Sequence, residues 1–498
     1  MERKLSILMV SAEAHPFAKV GGLADVIGAL PRALEGLGHE VKIAIPYYGT
    51  IKRKGFEVTE VAEAGVFDVA LGEKTYPAKV YLTHLPESKV EVLLVESKEY
   101  LDRNGIYSDA ETGEPYSDNA ERFTFFARAV LRMLKVTGWY PDIIHCHDHQ
   151  TGFIPAWIAL GSRTQGLPES LRTVFTIHNL AYQGEYPMEV GRFAGFGEDV
   201  MRPMGGIEFH GKVNLMKAGI SYSDTITTVS PTYAREIQTP EYGYGLEGIL
   251  KHRSGDLVGI LNGADYGVWN PETDKLIPAK YTAEKPGGKA RCRKHLLERA
   301  GLKLEDDVPL VGIVSRLVSQ KGFDILCEDF DRIMELDIGV VVLGLGDKAY
   351  HELLTALAGK YEGRMAVMLD FNEELAHQIE AGSDMFLMPS KYEPCGLNQM
   401  YSMKYGTIPV VRATGGLADS VTDYDASADS TGFAFTEYTA EALYQALERA
   451  RKVFADTEAW KQLVRRAMTL DLSWGTSARA YEDVYRKTLQ KRRTVKTG

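Results

Sequence analysis

The sequence predicts an α/β protein of two doubly wound domains, each a mainly parallel sheet covered by helices. Two observations carry this prediction. Short apolar, β-branched runs recur with helix-length segments between them, and the pattern restarts after a turn-rich stretch near the middle of the chain. Continuous apolar runs are typical of strands buried on both faces, as in parallel sheets. A length of 498 residues leaves room for two large domains.

The predicted strands form two series. The first comprises residues 5–10, 41–45, 90–95, 142–145, 173–177 and 225–229. The second comprises residues 309–314, 338–343, 365–369, 385–388 and 408–411. Between them, the chain from Asn262 through Pro271 to Lys289 is rich in turn-forming residues, which predicts a hinge near 262–275.

We therefore expect a first domain over residues 1–262, a second over 263–475 and a C-terminal segment over 476–498. The last stretch, from about Ser473, is helix-like and ends in the basic cluster Lys491-Arg492-Arg493. Two interpretations of it stay open: a solvated tail, or a helix that packs back across the domains.

Composition excludes several classes of protein. The net charge is 57 − 68 = −11, so a general attraction to nucleic-acid phosphates or anionic lipid is not expected. No stretch approaches the roughly 20 apolar residues of a membrane span, and the apolar run at 5–10 is too short for a signal peptide. The four cysteines include no CxxC pair, so they predict no disulfide framework and favour a cytoplasmic location.

A short glycine motif occurs twice. Val20-Gly21-Gly22-Leu23-Ala24-Asp25 lies early in the first domain, and Thr414-Gly415-Gly416-Leu417-Ala418-Asp419 lies late in the second. Each follows a predicted strand and opens a helix-like run, where paired glycines let backbone N–H groups approach an anion. The repetition favours two phosphate-binding helix starts; the alternative is that both pairs only make tight turns.

Three cations accompany these motifs. Lys19 precedes the first Gly-Gly pair, so its ammonium is expected beside the same anion. Arg316 and Lys321 follow the predicted strand 309–314. Because the carboxyl ends of strands line the ligand crevice of a doubly wound sheet, this pair indicates a diphosphate site. The alternative for each is an ordinary solvated surface cation.

The segment from Pro389 to Leu397 leaves the predicted strand 385–388 and enters a helix near Leu397. Glu393 could stabilise positive charge on a sugar carbon, or it could only cap the helix start. Cys395 lies near the same helix start, but the sequence offers it no base. A packing or substrate contact is therefore the favoured interpretation of Cys395.

Histidines suggest a metal hypothesis. His145, His147 and His149 alternate at a strand end, and alternate strand residues share a face that could bind zinc. Asp148 and Thr151 are typical of a helix start, however, and a turn there would separate the three rings. After strand 173–177 comes His178-Asn179, for which ligand contact and a structural role are both open.

One competing motif points to a dinucleotide. Gly344-Leu345-Gly346-Asp347-Lys348-Ala349, with Asp370 further on, matches the G-x-G-x-x-A pattern. It explains neither Gly-Gly pair nor the cations, so an NAD-dependent enzyme is the weaker alternative. The sequence has no G-x-x-x-x-G-K-[ST] loop, which disfavours a P-loop phosphotransferase.

Taken together, the motifs resemble bacterial glycogen synthase and plant starch synthase along nearly the whole chain. Those that carry the resemblance are Lys19 to Asp25, Asn262 to Asp265, Ser315-Arg316 with Lys321-Gly322, Glu393 to Leu397, and Thr414 to Asp419. The resemblance implies a GT-B fold, with two doubly wound Rossmann-like domains facing each other across a cleft. It also implies retaining transfer of glucose from ADP-glucose to the 4-hydroxyl at the non-reducing end of an α-1,4-glucan, in glycogen or starch synthesis, without metal or cofactor.

The resemblance also implies roles for residues. Glu393 would lie beside the transferred glucose, His178 on the opposite wall, and Lys19 with the amides of Gly21 and Gly22 at the donor's phosphates and sugar. Arg316 and Lys321 match the diphosphate clamp, and Phe371 falls where an aromatic ring stacks on adenine. The other implied cleft positions are Asp25, Asn179, Asn262, Cys395, Gly396, Leu397, Gly415 and Gly416.

Departures from the family pattern are few. The family's aspartate-tryptophan pair is Asp148-His149 here, and Gln150 follows where relatives often have histidine. Tyr401, eight residues after Glu393, agrees with this subfamily rather than with GT-B relatives that are acidic there. Retention by a covalent intermediate and by front-face attack both stay open, and the lack of an evident second carboxylate favours the latter. A catalytically silent glucan-binding protein is the alternative class, disfavoured because the cleft residues are intact.

Overall fold

The computed structural model describes residues 3–161 and 166–491. The described chain divides into two compact units. The first contains the residues up to Val229, Ala234–Ile260 and the residues from Trp474 onward, and the second contains Ser230–Tyr233 and Leu261–Ser473. Residues 262–275, the predicted hinge, lie in the second unit. The boundaries drawn from the sequence stay predictions.

The first unit is built on a ten-stranded sheet and a small three-stranded one. Its strands are β1 (Ser6–Val10), β2 (Glu40–Pro46), β3 (Thr59–Glu60), β4 (Phe67–Leu71), β5 (Lys74–His84), β6 (Glu91–Glu96), β7 (Ile143–His147), β8 (Arg172–Ile177), β9 (Glu185–Tyr186), β10 (Glu208–Phe209), β11 (Lys212–Asn214), β12 (Thr225–Thr228) and β13 (Leu257–Gly259). The helices up to residue 260 are α1 (Gly22–Gly36), α2 (Gly49–Arg53), α3 (Asn119–Thr137), α4 (Phe153–Ala159), α5 (Met188–Phe193), α6 (Glu198–Met201), α7 (Leu215–Tyr222), α8 (Pro231–Glu236) and α9 (Glu247–His252).

The large sheet has the order β13-β12-β8-β7-β1-β2-β6-β5-β3, with β4 paired to β5. The strands from β13 to β6 run parallel, which confirms the prediction for the strand series of the first half. The edge strands β3, β4 and β5 are antiparallel. They were not predicted, because β4 alternates buried and exposed residues instead of forming a continuous apolar run.

The second unit contains a six-stranded parallel sheet of order β16-β15-β14-β17-β18-β19. Its strands are β14 (Leu310–Val314), β15 (Gly339–Leu343), β16 (Met365–Met368), β17 (Met385–Met388), β18 (Ile408–Arg412) and β19 (Phe433–Phe435). Its helices are α10 (Gly287–Ala300), α11 (Phe323–Glu328), α12 (Phe330–Met334), α13 (Lys348–Lys360), α14 (Glu373–Gly382), α15 (Asn398–Lys404), α16 (Gly415–Ser420), α17 (Ala440–Ala455) and α18 (Thr457–Thr469). The sheet is parallel throughout, as predicted for the second strand series.

Side-chain caps begin several of these helices. Asn372 accepts the Leu375 amide at α14, Thr439 accepts the Ala442 amide at α17, and Asp456 caps α18 in the same way. Such caps each contribute about 1 kcal/mol to helix stability. Each cap therefore fixes the residue at which its helix begins.

The last helix, α19 (Trp474–Gln490), belongs to the first unit and packs on α1. Trp474, Tyr481 and Tyr485 are buried in the same hydrophobic cluster as β1 and β2. The interpretation as a wholly solvated tail is therefore wrong for this helix. The predicted basic cluster lies largely outside the described residues, since only Lys491 falls within them. Among the described residues, no helix is both long enough and apolar enough to cross a membrane.

Candidate active site

In each unit, considered separately, the strand order indicates where a ligand crevice lies. In the first unit β1 lies between β2 and β7, and in the second β14 lies between β15 and β17. At such points the loops that follow neighbouring strands diverge to opposite faces, and ligands bind at the carboxyl ends of the strands there. The loops concerned follow β1, β7, β14 and β17, and half of the predicted site residues lie in those after β1, β14 and β17.

The loop after β1 is shaped around a buried carboxylate. One oxygen of Glu13 accepts the amides of Val20 (2.6 Å) and Gly21 (3.0 Å), and the other accepts the Tyr107 hydroxyl (2.6 Å). Helix α1 begins at Gly22, with Gly21 as its N-cap. In this structure, therefore, the Gly21 amide already holds a carboxylate. Burial raises the pKa of Glu13.

Lys19 lies at the exposed rim of the same loop. Its ammonium forms an ion pair with Asp25, in the first turn of α1, at 2.6 Å. Both side chains are partly exposed, so the pair is screened by water and weak. An arriving phosphate can compete for this ammonium. The structure thus places Lys19, Gly21, Gly22 and Asp25 in one loop and the first turn of α1, and their contacts with a donor stay a prediction.

The loop after β7 turns sharply at Asp148, which adopts a positive φ of +55°. Its carboxylate accepts the His178 amide at 2.7 Å and also binds the Asn179 amide. These contacts tie the ends of the neighbouring strands β7 and β8 together. Burial raises the pKa of Asp148 to about 7, and the nearby charge of Glu13 acts in the same direction.

The contact between His147 and His178 determines which ring nitrogen of His178 carries the proton. Nδ1 of His147 lies 2.9 Å from Nε2 of His178, and Nε2 of His147 is buried with no hydrogen-bond partner in the described parts of the chain. Burial lowers the pKa of both rings, to about 3 for His178, so both are neutral at pH 7. A buried N–H without a partner is rarer than a buried acceptor without one, so we assign the His147 proton to Nδ1. His178 then accepts at Nε2 and carries its own proton on Nδ1.

The three histidines of the zinc hypothesis are engaged separately. His145 binds the Tyr485 hydroxyl at 2.9 Å and the Thr176 hydroxyl at 2.5 Å, and His147 binds His178. His149 lies beyond the turn, in a 3-10 turn that runs to Thr151. Over residues 3–161 and 166–491, no three His, Cys, Asp or Glu residues are arranged to hold a metal ion.

In the second unit, the loops after β14 and β17 meet at an ion pair. The Lys321 ammonium lies 2.6 Å from a carboxylate oxygen of Glu393, and the Ser390 hydroxyl donates to the same oxygen at 3.0 Å. Glu393 is only 7% exposed. Helix α15 has no side-chain cap, so the interpretation of Glu393 as a helix cap is wrong. Arg316 is exposed on the same loop as Lys321.

The second glycine pair packs against the Glu393 loop. The Gly416 amide donates to the carbonyls of Glu393 and Pro394, each at 3.2 Å. A Cβ at Gly416 would lie 2.2 Å from the Cys395 carbonyl oxygen, so only glycine allows this approach. In this structure the pair therefore supports the loop that carries Glu393, and α16 behind it has only six residues. A phosphate contact of Gly415 and Gly416 stays a prediction.

Burial raises the pKa of the Cys395 thiol to about 12, so a thiolate nucleophile at neutral pH is disfavoured. The Asn262 amide lies against this sulfur, while the side-chain oxygen of Asn262 is buried with no partner in the described chain. Gly396 and Leu397 complete the turn into α15. Phe371 is 83% exposed on the separate loop between β16 and α14.

Two site residues were missed by the sequence reasoning. Glu13 lies three residues beyond the end of β1, much as Arg316 lies two beyond the end of β14, so position near a strand end is a signal that could have identified it. Ser390 was read only as part of a turn. Its contact with Glu393 depends on the loop conformation, for which the sequence gives no signal.

Two backbone amides of the competing dinucleotide motif donate hydrogen bonds to other groups of the protein. The Gly346 amide donates to His351 at 2.9 Å, and the Asp347 amide donates to the Leu317 carbonyl at 2.8 Å. The Asp347 amide thus holds the loop after β14, where Arg316 lies. The motif therefore has a structural use beside the site.

Comparisons with known proteins show which family the chain resembles along its length. A family model described as "Starch synthase catalytic domain" matches residues 6–252, and one described as "Glycosyl transferases group 1" matches residues 296–467. A glycogen synthase of Geotalea daltonii is 46% identical, covering 98% of this chain and all of the relative, and one of Desulforudis audaxviator is 45% identical, covering 98% of each. The structure of the catalytic domain of starch synthase IV from Arabidopsis thaliana, bound to ADP and acarbose, has a TM-score of 0.88 at 34% identity, covering 98% of this chain and 100% of that one. Sucrose-phosphate synthase from Thermosynechococcus elongatus, at 18% identity, shares the fold with a TM-score of 0.59, covering 97% and 99%.

Two Rossmann-like units with these loops define a glycosyltransferase of the GT-B fold class. Both matched models and the near full-length relatives point to one family within that class. The chain belongs to the glycogen synthase and starch synthase family, enzymes of glucosyl transfer in glycogen and starch synthesis.

Proposed function

We propose that this enzyme transfers glucose from ADP-glucose to the 4-hydroxyl at the non-reducing end of an α-1,4-glucan, with retention of the anomeric configuration. The observation that carries the proposal is the Lys321–Glu393 pair at the carboxyl ends of β14 and β17. It offers a cation for the departing diphosphate and a carboxylate for the positive charge that develops on the sugar.

Charge stabilisation is the main source of catalysis in this proposal. Breaking the bond between glucose and diphosphate leaves negative charge on the phosphate, which Lys321 and the exposed Arg316 would bind. The Lys321 side chain is 18% exposed and lies at a loop end, so an arriving phosphate can share its ammonium with Glu393. A role of Lys19 at the donor's phosphates, which the family resemblance implies, belongs to the same proposal.

Retention is assigned to front-face attack, in which the leaving phosphate accepts the proton of the incoming hydroxyl. Two features support this choice over a covalent intermediate. The Glu393 carboxylate is held by two donors, Lys321 and Ser390, which lowers its nucleophilicity. The Cys395 thiol is kept protonated by burial.

The donor base is assigned to adenine. The exposed ring of Phe371 offers a stacking surface at the end of β16, and the Arabidopsis relative was solved with ADP. A cytoplasmic location belongs to the same proposal and is supported by four free cysteines. Neither nucleic acid nor membrane is proposed as a partner.

The test is a panel of ADP-, UDP- and GDP-glucose with glycogen as acceptor, following release of the nucleoside diphosphate. We expect ADP-glucose to have the highest kcat/KM. A higher kcat/KM for UDP-glucose would overturn the donor assignment. Phe371→Ala should raise KM for ADP-glucose while Phe371→Tyr retains it, because only the first removes the ring.

A further inference from the structure

The chain between β6 and α3, residues 97–118, forms a long loop with no helix or strand of its own. Loops longer than about 12–15 residues without secondary structure are uncommon in compact domains, and an ordered one usually has a function. The 97–118 loop carries Tyr107, whose hydroxyl donates to Glu13 at 2.6 Å. The residues that hold this loop in one conformation therefore also act on the loop after β1.

One arginine closes the 97–118 loop from the inside. Arg122, in α3, is fully buried. Its Nε donates to the Tyr100 carbonyl at 2.8 Å, and its Nη1 donates to the Ile106 carbonyl at 3.0 Å and to the side-chain oxygen of Asn119 at 2.6 Å. The rigid planar guanidinium thus fixes two carbonyls of the loop relative to each other and to α3.

The hydrogen-bond partners of this guanidinium are all neutral. It also faces the rings of Tyr116 and Phe123, at 4.6 and 5.5 Å from their centres, and its Nη2 is buried with no hydrogen-bond partner in the described parts of the chain. Moving a charge out of water is costly, and well-packed apolar residues of similar volume often stabilise a protein as well or better. Stability alone therefore does not account for a buried arginine here, whereas the shape of the 97–118 loop does.

Arg122 and Asn119 together fix the position of Tyr107. Arg122 holds the carbonyl of Ile106, which directly precedes Tyr107, and the Asn119 side-chain amide donates to the Tyr107 carbonyl at 2.8 Å. The Tyr107 hydroxyl then holds Glu13, which accepts two backbone amides of the loop after β1. A chain of hydrogen bonds therefore connects α3 to the first glycine motif.

We propose that Arg122 is a positioning residue for donor binding. Through Tyr107 and Glu13 it holds the loop after β1 in the conformation in which Lys19 binds the donor's phosphates. Arg122 acts without touching the substrate, because its side chain is fully buried. The inference rests on the proposed function for the role of Lys19, and it adds a residue outside the site on which donor affinity depends.

The test uses the whole enzyme with the donor that the panel above favours, and measures KM for that donor and, by calorimetry, Kd for its nucleoside diphosphate. Arg122→Lys keeps the charge but replaces the planar fork by one ammonium, which cannot hold both carbonyls. Both constants should rise about tenfold, because a binding group misplaced by about 1 Å can cost up to about a hundredfold. The matched control is Arg253→Lys, since Arg253 is a buried arginine of the same unit that holds the carbonyls of Ile220 and Ser223. It should melt lower and keep both constants.

A double-mutant cycle tests the path from Arg122 to the loop after β1. Tyr107→Phe removes the hydroxyl that holds Glu13, so Arg122→Lys should add little to the loss once Tyr107→Phe is present. If Arg122→Lys does not fold, Asn119→Ala takes its place in the cycle with the same expectation, because it removes the side chain that contacts both Arg122 and Tyr107.

Three results would overturn the inference: wild-type constants in the Arg122 or Asn119 variant, an equal rise in Arg253→Lys, or losses that add fully in the cycle. A panel that favours UDP-glucose would instead overturn the donor assignment. The same variants would then be measured with UDP-glucose and UDP, and the inference would stand or fall on those constants.

Discussion

Replacing Glu393 by glutamine separates the charge of this side chain from its shape. The amide oxygen can still accept from Lys321 and Ser390, which lie 2.6 and 3.0 Å from the native carboxylate. The hydrogen bond from Ser390 then has a neutral acceptor, and the contact with Lys321 is no longer an ion pair. Together these changes lower the free energy of unfolding by about 1–2 kcal/mol. For units of this size, each kcal/mol of lost stability lowers Tm by roughly 2–4 °C.

The effect on catalysis should be larger. A carboxylate facing the positive sugar acts mainly in the transition state, so its charge contributes to kcat rather than to donor binding. We expect kcat to fall about a hundredfold, which equals about 2.7 kcal/mol of transition-state stabilisation. KM for ADP-glucose should stay within a few-fold of wild type.

The assay is release of nucleoside diphosphate over a range of ADP-glucose concentrations, with Tm measured on the same preparations. Glu441→Gln is the matched control, because it removes the charge of an exposed ion pair with Arg332 in the same unit and should leave kcat unchanged. A Glu393→Gln enzyme that melts lower but keeps its kcat would refute the catalytic assignment and leave Glu393 a structural residue.

Four further outcomes are expected. Arg316→Ala and Lys321→Ala should each lower kcat/KM by about a hundredfold or more, because each removes a charged contact to the leaving group; wild-type turnover would exclude that residue from the clamp. His147→Leu should lower kcat while His147→Asn, which still donates toward His178, restores part of it; ¹⁵N NMR of the ring should report the Nδ1–H form of His178 in wild type and in His147→Asn but not in His147→Leu. Burial raises the pKa of Asp148 from an ordinary 3.8 to about 7, so the folded chain holds this proton more tightly, and the resulting stabilisation, complete below about pH 4, is lost as the pH rises to about 7. Tm of Asp148→Asn should therefore decline less than that of wild type over this range, and parallel curves would contradict the assignment. Dialysis against a strong chelator should leave activity unchanged, and loss of activity that returns with added metal would revive the zinc hypothesis.

Strand positions were predictable where strands are buried on both faces. Runs such as Leu310–Val314 and Ile143–His147 are apolar or β-branched over most of their length, so their burial was visible in the sequence. The antiparallel hairpin Phe67–Leu71 and Lys74–His84 was not predicted, since a strand with one exposed face alternates polar and apolar residues. A search for that alternation would have found it.

Site positions were predictable where they follow such strands. Lys321 and Glu393 were placed in the site because each follows a buried run, and the structure brings their side chains together. What the glycine motifs do locally was not predictable. The Gly21 amide donates to the Glu13 carboxylate, and the Gly416 amide donates to the carbonyls of Glu393 and Pro394. Neither partner can be identified from the glycine motif itself.

The return of α19 to the first unit has a consequence for synthesis on the ribosome. Residues that complete that unit's hydrophobic cluster, including Trp474 and Tyr485, leave the exit tunnel after the whole of the second unit. The first unit, although most of it precedes the second in the chain, therefore cannot finish folding until α19 has been synthesised. The second unit, nearly contiguous in the chain, is complete at Ser473 and can fold while α19 is still being made. The order of completion is thus the reverse of the order in the gene, and a nascent chain stalled before Trp474 would expose the apolar face of α1.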